Sequence, residues 1–285
     1  ISVVGKPNFE CQTISITESK YGGKQLYTNT RGQLQKVWST TSFELQKLRD
    51  NPKTAEEEFG SIVDDKDPGI NYSLTYNPTE SIFLPATQDR KPKVAILREQ
   101  GVNGQMEMAW CFQQAGFDSI DVTMTDLIEG KVKLNDFVGF AACGGFSYGD
   151  VLGAGAGWAK SVLYHEDVRQ QFVDFFQTRD DTFAFGACNG CQFLSRLKDI
   201  IPGCEDWPIF ERNLSEQYEA RTCMVEIVDD KDNKSSEQNI FLDGMAGSKL
   251  PIAVAHGEGK ATFNDKTQLG QFEDNGLASI RYVDN

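Results

Sequence analysis

One cysteine stands where a nucleophile would be built. Gly186-Ala187-Cys188-Asn189-Gly190-Cys191-Gln192 places G-x-C-x-G between an apolar run over 182–187 that reads as a strand and a stretch that reads as a helix. In that helix Phe193, Leu194, Leu197, Ile200 and Ile201 share one face. A chain that reverses tightly from strand to helix needs little bulk on either side of the turn, and its middle residue is then left exposed at the strand end. The first turn of a helix aims backbone N–H groups at that residue, an arrangement that favours a thiolate over a thiol. An arbitrary cysteine is most often buried and inert, but this context makes Cys188 the expected attacking group.

The same segment contains Cys188-Asn189-Gly190-Cys191, a C-x-x-C at a helix start, so thiol–disulfide exchange is the alternative from a different class. Redox domains of the thioredoxin type carry the pair after an early strand with an aromatic residue before it. Here Ala187 precedes the pair, and about four strand–helix units come first. A zinc site is weaker still, because the chain has two histidines and no second C-x-x-C.

Gly145-Phe146-Ser147-Tyr148-Gly149 matches the serine elbow G-x-S-x-G. The run directly after it, Asp150-Val151-Leu152-Gly153-Ala154-Gly155-Ala156-Gly157, is too rich in glycine to open a helix at once. The segment therefore reads as a backbone-lined loop suited to donating N–H groups to an oxyanion. Its glycines also miss the dinucleotide pattern G-x-G-x-x-G, since Trp158 takes the third place. A thiolate needs a general base, usually a histidine oriented by a carboxylate. His165-Glu166-Asp167 opens a polar helix and reads as a solvated face, whereas His256-Gly257-Glu258 comes after an apolar strand and projects at its end. Spacing alone favours the second pair.

The elements that must position these residues begin at Lys93. Apolar runs at 94–97, 120–124, 137–143 and 182–187 read as strands, and they alternate with helical patterns at 105–115 and at Val168, Phe172, Phe175 and Phe176. Further β-like runs lie at 223–228, 251–255 and 278–283. Buried strands alternating with helices imply an α/β fold with a doubly wound, mainly parallel sheet and flanking helices, whose ligands sit at the carboxyl ends of the strands. Before Lys93, residues 1–38 carry two short β runs, at 13–17 and 25–28, split by a hairpin turn at Tyr21-Gly22-Gly23-Lys24. Residues 39–92 read as a linker holding one short helix at 43–48.

Composition bounds the rest. With 285 residues, 39% of them apolar, the chain can bury a sizeable core. Twenty-eight basic against forty-two acidic residues give a net charge of −14, which argues against nucleic acid or an anionic membrane as partner. The sequence has no apolar run long enough to span a membrane and no secretory pattern at its start, so a cytoplasmic protein is expected. Seven scattered cysteines fit reduced thiols, which makes the sequons at Asn71, Asn213 and Asn233 chance matches. The chain opens on Ile1-Ser2-Val3-Val4 without an initiator Met, as a piece of something longer would.

With the segment around Cys188 in hand, the chain resembles class I glutamine amidotransferases, whose signature is G-x-C-x-G-x-Q. Further matches narrow the resemblance to the family of large, single-chain phosphoribosylformylglycinamidine (FGAM) synthases, ligases of purine biosynthesis that convert FGAR to FGAM. These are Leu97-Arg98-Glu99-Gln100-Gly101-Val102-Asn103, Cys143-Gly144-Gly145-Phe146-Ser147-Tyr148-Gly149-Asp150, Gly157-Trp158-Ala159-Lys160-Ser161, residues 251–259, and Arg281-Tyr282-Val283-Asp284-Asn285. The resemblance as a whole spans residue 38 to the end.

The resemblance implies a flavodoxin-like amidotransferase domain over 93–285 and, over 1–38, the end of a preceding ATP-binding synthase domain. It implies Cys188 as the nucleophile, and the N–H groups of Gly145, Phe146 and Asn189 as an oxyanion hole. Gln192 would help to hold the substrate glutamine. A γ-glutamyl thioester would form with release of ammonia to the synthase domain of the same parent chain. ATP and Mg2+ would bind in that domain, with no cofactor or metal in this chain. The resemblance also corrects the reading from spacing. The family's base and carboxylate belong to a His-Pro-Glu segment expected beyond Asn285, which leaves His256 and Glu258 as residues near the site or at a domain contact. Ala156 stands where many members carry glutamate.

Overall fold

The computed structural model describes residue 8 and residues 10–18, 23–80, 91–228 and 239–283. By their contacts the described residues fall into two compact units, one up to Ile70 with Asn213–Glu219, the other Asn71–Arg212 with the described part of Ala220–Asp284.

The larger unit is built on a parallel sheet of β3 (Lys93–Arg98), β4 (Asp118–Thr123), β5 (Gly139–Ala142) and β6 (Phe183–Gly186) in the order β4-β3-β5-β6. Its register runs through Leu97↔Val122, Leu97↔Ala142 and Ala142↔Gly186. All four residues of β5, and Val94 to Leu97 of β3, are buried, as a sheet covered on both faces requires. Alternation decides which way each side chain points. Ala95, Leu97, Phe140 and Ala142 join a core with Trp158, Phe172, Phe175 and Phe193. Val94, Ile96, Ala141 and Cys143 pack with Phe112 on the other face. The first core is supplied by α5 (Ala156–Leu163), α6 (Glu166–Val173) and α7 (Asn189–Arg196), the second by α3 (Gln105–Gln114). Each large side chain so buried contributes about 1.5–3 kcal/mol.

The chain runs from β3 outward to β4, then crosses back to lay β5 on the opposite side of β3. That reversal is the switch point of a doubly wound sheet, where loops from adjacent strands part and leave a crevice. The expected fold class is thus the observed one. A short helix, α4 (Met124–Ile128), comes directly after β4 and opens with a capping box made by Thr123 and Asp126.

The later β runs do not extend the parallel sheet. β8 (Glu219–Ile227), β9 (Lys249–His256) and β11 (Ile280–Tyr282) form a separate sheet in the order β11-β8-β9, with β11 antiparallel to β8. β7 (Ile209–Glu211) and β10 (Lys260–Thr262) form a further antiparallel pair. The reason is legible in the burial. β9 exposes alternate residues, as a strand with one covered face does, and a strand at the centre of a parallel sheet is covered on both. Helix α8 (Lys266–Asp274), capped by Asp265, lies between β10 and β11.

The smaller unit holds the antiparallel hairpin β1 (Thr13–Thr17) and β2 (Gln25–Thr30), then α1 (Arg31–Arg49) and α2 (Pro52–Ser61). Residues Tyr21 and Gly22 of the expected hairpin turn lie outside the described residues. The helix expected at 43–48 is the end of a much longer one, and position 38, expected to close a first segment, falls inside it. Two caps explain the difference. The Thr30 side chain accepts the Gln33 N–H, and Asn51 caps α2 with Pro52 at its first position, so part of the stretch that reads as linker is a second helix. The two helices join through Phe43 and Phe59, whose rings stack with centroids 4.1 Å apart.

Candidate active site

Three loops meet where β3, β5 and β6 end. Cys188 comes just after β6 and caps α7 with φ 52° and ψ −111°, a left-handed conformation for a residue with a side chain. Such backbone costs on the order of 1–3 kcal/mol and persists only where its surroundings fix it. The flanking glycines fix it by contact. A Cβ on Gly186 would stand 2.7 Å from the carbonyl oxygen of Gly190, and one on Gly190 would run into the carbonyl of Ala142. The turn therefore closes only with glycine on both sides. Cys188 itself is exposed.

The second loop leaves β5. Gly144 packs so close to Cys188 that a Cβ there would sit 3.3 Å from the cysteine's own. The third loop, after β3, pins it: Asn103 N–H donates to Gly144 O at 2.9 Å, Phe146 N–H to Gly101 O at 2.9 Å, and Tyr148 N–H to Gln100 O at 2.8 Å. Of the three donors expected for an oxyanion, the Phe146 N–H is thus engaged. The N–H groups of Gly145 and Asn189 have no partner among the described residues. Ser147, centre of the serine-elbow match, is buried and its hydroxyl has no partner, so it presents nothing to a substrate. The expected break before the next helix is present: Tyr148 and Gly149 are left-handed, and α5 opens only at Ala156.

A fourth segment, the one that carries the His256-Gly257-Glu258 run singled out in the sequence, completes the site. β9 brings the Ala255 carbonyl to 3.8 Å from the Cys188 sulfur. The turn beyond it reaches two other elements at once: Glu258 O accepts from Gln192 Nε2 at 2.6 Å, and Glu258 Oε2 accepts the Ala154 N–H at 2.8 Å. Gln192, expected to hold substrate, is buried, and its amide is taken at both ends, since Oε1 also accepts from Asn189 Nδ2 at 3.2 Å. Asn189 further donates to Asp150 Oδ1 at 3.0 Å and accepts the Ser147 N–H at 3.2 Å. The His256 ring folds over Gly259, leaving no space there for a side chain. His165 precedes α6 half-buried, with an unpartnered Nδ1 rather than on a solvated face. Ala156 is buried at the first turn of α5.

Charge reflects this packing. Burial, and then the charge of Glu258, hold the Asp150 carboxyl above its ordinary range, against the hydrogen bonds from Asn189 and Gly155. Burial pushes the Cys191 thiol up to about 11, and the Cys143 thiol likewise to about 11. Tyr148 is raised to about 12 by burial and by its hydrogen bond with Glu99. Asp150 and the Ala255 carbonyl were not found by sequence reasoning. Neither belongs to a catalytic pattern in the sequence, and both act through contacts with residues at least 39 positions away.

A strained cysteine between close-packed glycines, faced by the Gly145 and Asn189 N–H groups that have no partner among the described residues, at the switch point of a parallel sheet, is the equipment of acyl transfer through a thioester. Comparison with known proteins agrees. A family model for CobB/CobQ-like glutamine amidotransferase domains matches residues 91–285, and the chain belongs to that family. It is 70% identical over 287 residues to phosphoribosylformylglycinamidine synthase of Saccharomyces cerevisiae, covering all of this chain and 21% of that protein. It is 51% identical over 276 residues to the synthase of the same name from Schizosaccharomyces pombe, covering 97% of this chain and 20% of that protein. The chain thus spans about a fifth of the length of these relatives. Among solved structures, PurLQS from Thermotoga maritima matches at 21% identity and a TM-score of 0.47, over 69% of this chain and 76% of that one.

Proposed function

We propose that this chain is the glutamine-hydrolysing part of an FGAM synthase. The observation that carries the reading is the elbow: Cys188, held at φ 52°, stands beside two N–H groups, those of Gly145 and Asn189, that have no partner among the described residues. The Cys188 sulfur attacks the side-chain amide carbon of glutamine, and the oxyanion that forms is received by these two N–H groups. The thiol's proton passes to the amide nitrogen, the carbon–nitrogen bond breaks, and ammonia leaves a γ-glutamyl thioester. Water then cleaves the thioester to glutamate and restores the thiol. Gln192 serves this chemistry by holding Asn189 rather than by meeting the substrate.

The general base comes from a His-Pro-Glu segment outside residues 1–285. In support, the hydrogen-bond partner that the Cys188 thiol finds among the described residues is a main-chain carbonyl and not an imidazole. Ammonia passes to a synthase domain of the same polypeptide, which binds ATP and Mg2+ and uses ammonia to convert FGAR to FGAM. Residues before 93 belong to the end of that domain and to the connection, and 93–285 to the amidotransferase domain. The setting is the cytoplasm, in keeping with the finding that no helix among the described residues is long and apolar enough to cross a membrane. No finding supports the thiol-redox alternative.

The test is glutamate release from glutamine by the full-length polypeptide carrying this sequence, with and without Cys188→Ala. Loss of release with Cys188→Ala, and a trapped γ-glutamyl adduct on Cys188 in the parent, are expected. Undiminished release from Cys188→Ala overturns the reading.

A further inference from the structure

The loop that carries the glycine-rich run has few bonds of its own, the Gly155 N–H to the Asp150 carboxyl among them. Asp150, Gly153 and Gly155 are all left-handed, Val151 and Leu152 are exposed, and its internal backbone bonds are Gly153 N–H to Asp150 O and Ala156 N–H to Gly153 O. Ala154 in its middle is buried, and a buried N–H left without a partner is costly. Its partner is supplied from far along the chain, by Glu258 Oε2 at 2.8 Å. The same residue's main-chain oxygen takes the Gln192 amide at 2.6 Å. From there the bonds run to Asn189, to Asp150 Oδ1 and to the Ser147 N–H, and the chain from Asp150 leads back to Ala154. The ring closes on Glu258.

We propose that Glu258 is a positioning residue for glutamine hydrolysis, whose carboxylate and carbonyl together lock the loop after β5 against the first turn of α7. The proposal rests on the reading of Cys188 and the two N–H groups as the acyl-transfer site. Both oxyanion donors hang on the ring: Asn189 is a member, and Gly145 lies two residues before Ser147, whose N–H the Asn189 side chain holds. Glu258 acts through the Ala154 N–H and the Gln192 amide. It supplies an acceptor at the right reach, and a glutamine at this position supplies one too. Aspartate keeps the charge but is shorter by one methylene and cannot reach the Ala154 N–H without moving the turn.

The experiment uses Glu258→Gln, Glu258→Asp and Glu258→Ala in the full-length polypeptide, with kcat and KM for glutamine measured across pH. Glu258→Gln is expected within about 3-fold of the parent, with superimposable pH limbs. Glu258→Asp and Glu258→Ala are each expected to lose roughly 10- to 100-fold in kcat with KM little changed, because the interaction lost is one that matters in the transition state. Amide hydrogen exchange over 150–156 gives a readout independent of catalysis: protection retained in Glu258→Gln and lost in Glu258→Asp. If Cys188→Ala leaves glutaminase activity intact, the amidotransferase reading fails while the exchange result still decides whether Glu258 holds the loop. An active Glu258→Asp beside a dead Glu258→Gln makes the charge itself catalytic and overturns the proposal, as does a fully active Glu258→Ala.

Discussion

Gly190 stands against the carbonyl of Ala142 with no room for a Cβ between them. This one contact seats the first turn of α7 on the end of β5, and with it sets how far Cys188 is pushed out at the end of β6. The expected outcome of Gly190→Ala is a displaced helix start. Overpacking of a close contact costs about 1–3 kcal/mol, so a fall of the thermal midpoint by several degrees should accompany a sharp loss of glutaminase activity. Differential scanning calorimetry alongside the activity assay checks it. An unchanged midpoint and rate would mean that the backbones separate without consequence.

Thiol chemistry should divide Cys188 from Cys191. Burial raises the Cys191 thiol to about 11, whereas Cys188 is exposed. A glutamine-mimicking diazoketone is therefore expected to label Cys188 alone, and Cys188→Ala to reduce glutamine hydrolysis by on the order of 10⁴-fold or more. Peptide mass mapping reads the adduct. A reversible Cys188–Cys191 disulfide at cytosolic potentials, with no adduct, would count for redox chemistry instead.

His256→Ala in the full-length polypeptide is expected to cost less than about 10-fold in kcat, because the imidazole lies over Gly259 and a missing general base would cost about 10²- to 10⁴-fold. Side-by-side rates for His256→Ala and Cys188→Ala decide the matter. Equal, complete losses would make His256 the base.

Asp150 carries a testable pH signature. Its carboxyl is held above the ordinary range, so the folded state binds its proton more readily than the unfolded chain does. The stability this confers is full below the unfolded value of 3.8 and is lost as pH rises through the raised folded value, which leaves the charged form a cost at neutral pH. Asp150→Asn keeps the acceptor for Asn189, removes the repulsion from Glu258 and suits the left-handed φ of 53°. Its thermal midpoint should exceed the parent's at pH 7, and the gap should close toward pH 4. A gap that widens on acidification would contradict the assignment.

The sequence by itself determined the parallel sheet and the alternation of its strands and helices, and it singled out Cys188 as the candidate nucleophile. Gly186 and Gly190 are legible as turn glycines because only a residue without a side chain fits where strand end and helix start close on each other, and apolar runs of strand and helix period announce a core whatever surrounds them. Tertiary structure decided the rest. That Phe146 N–H is engaged while Gly145 N–H has no partner among the described residues comes from the loop after β3 lying antiparallel to the loop after β5, a pairing no local pattern encodes. The strands after residue 212 look apolar enough for the main sheet, yet sit in sheets of their own, because period alone does not say how many faces of a strand are covered. Glu258 reads as half of a catalytic pair and becomes a brace only when folding brings Ala154 and Gln192 to it from 104 and 66 residues away. Local sequence fixes backbone preference and polarity; which donor meets which acceptor across such separations is settled only when the packed core brings the loops together.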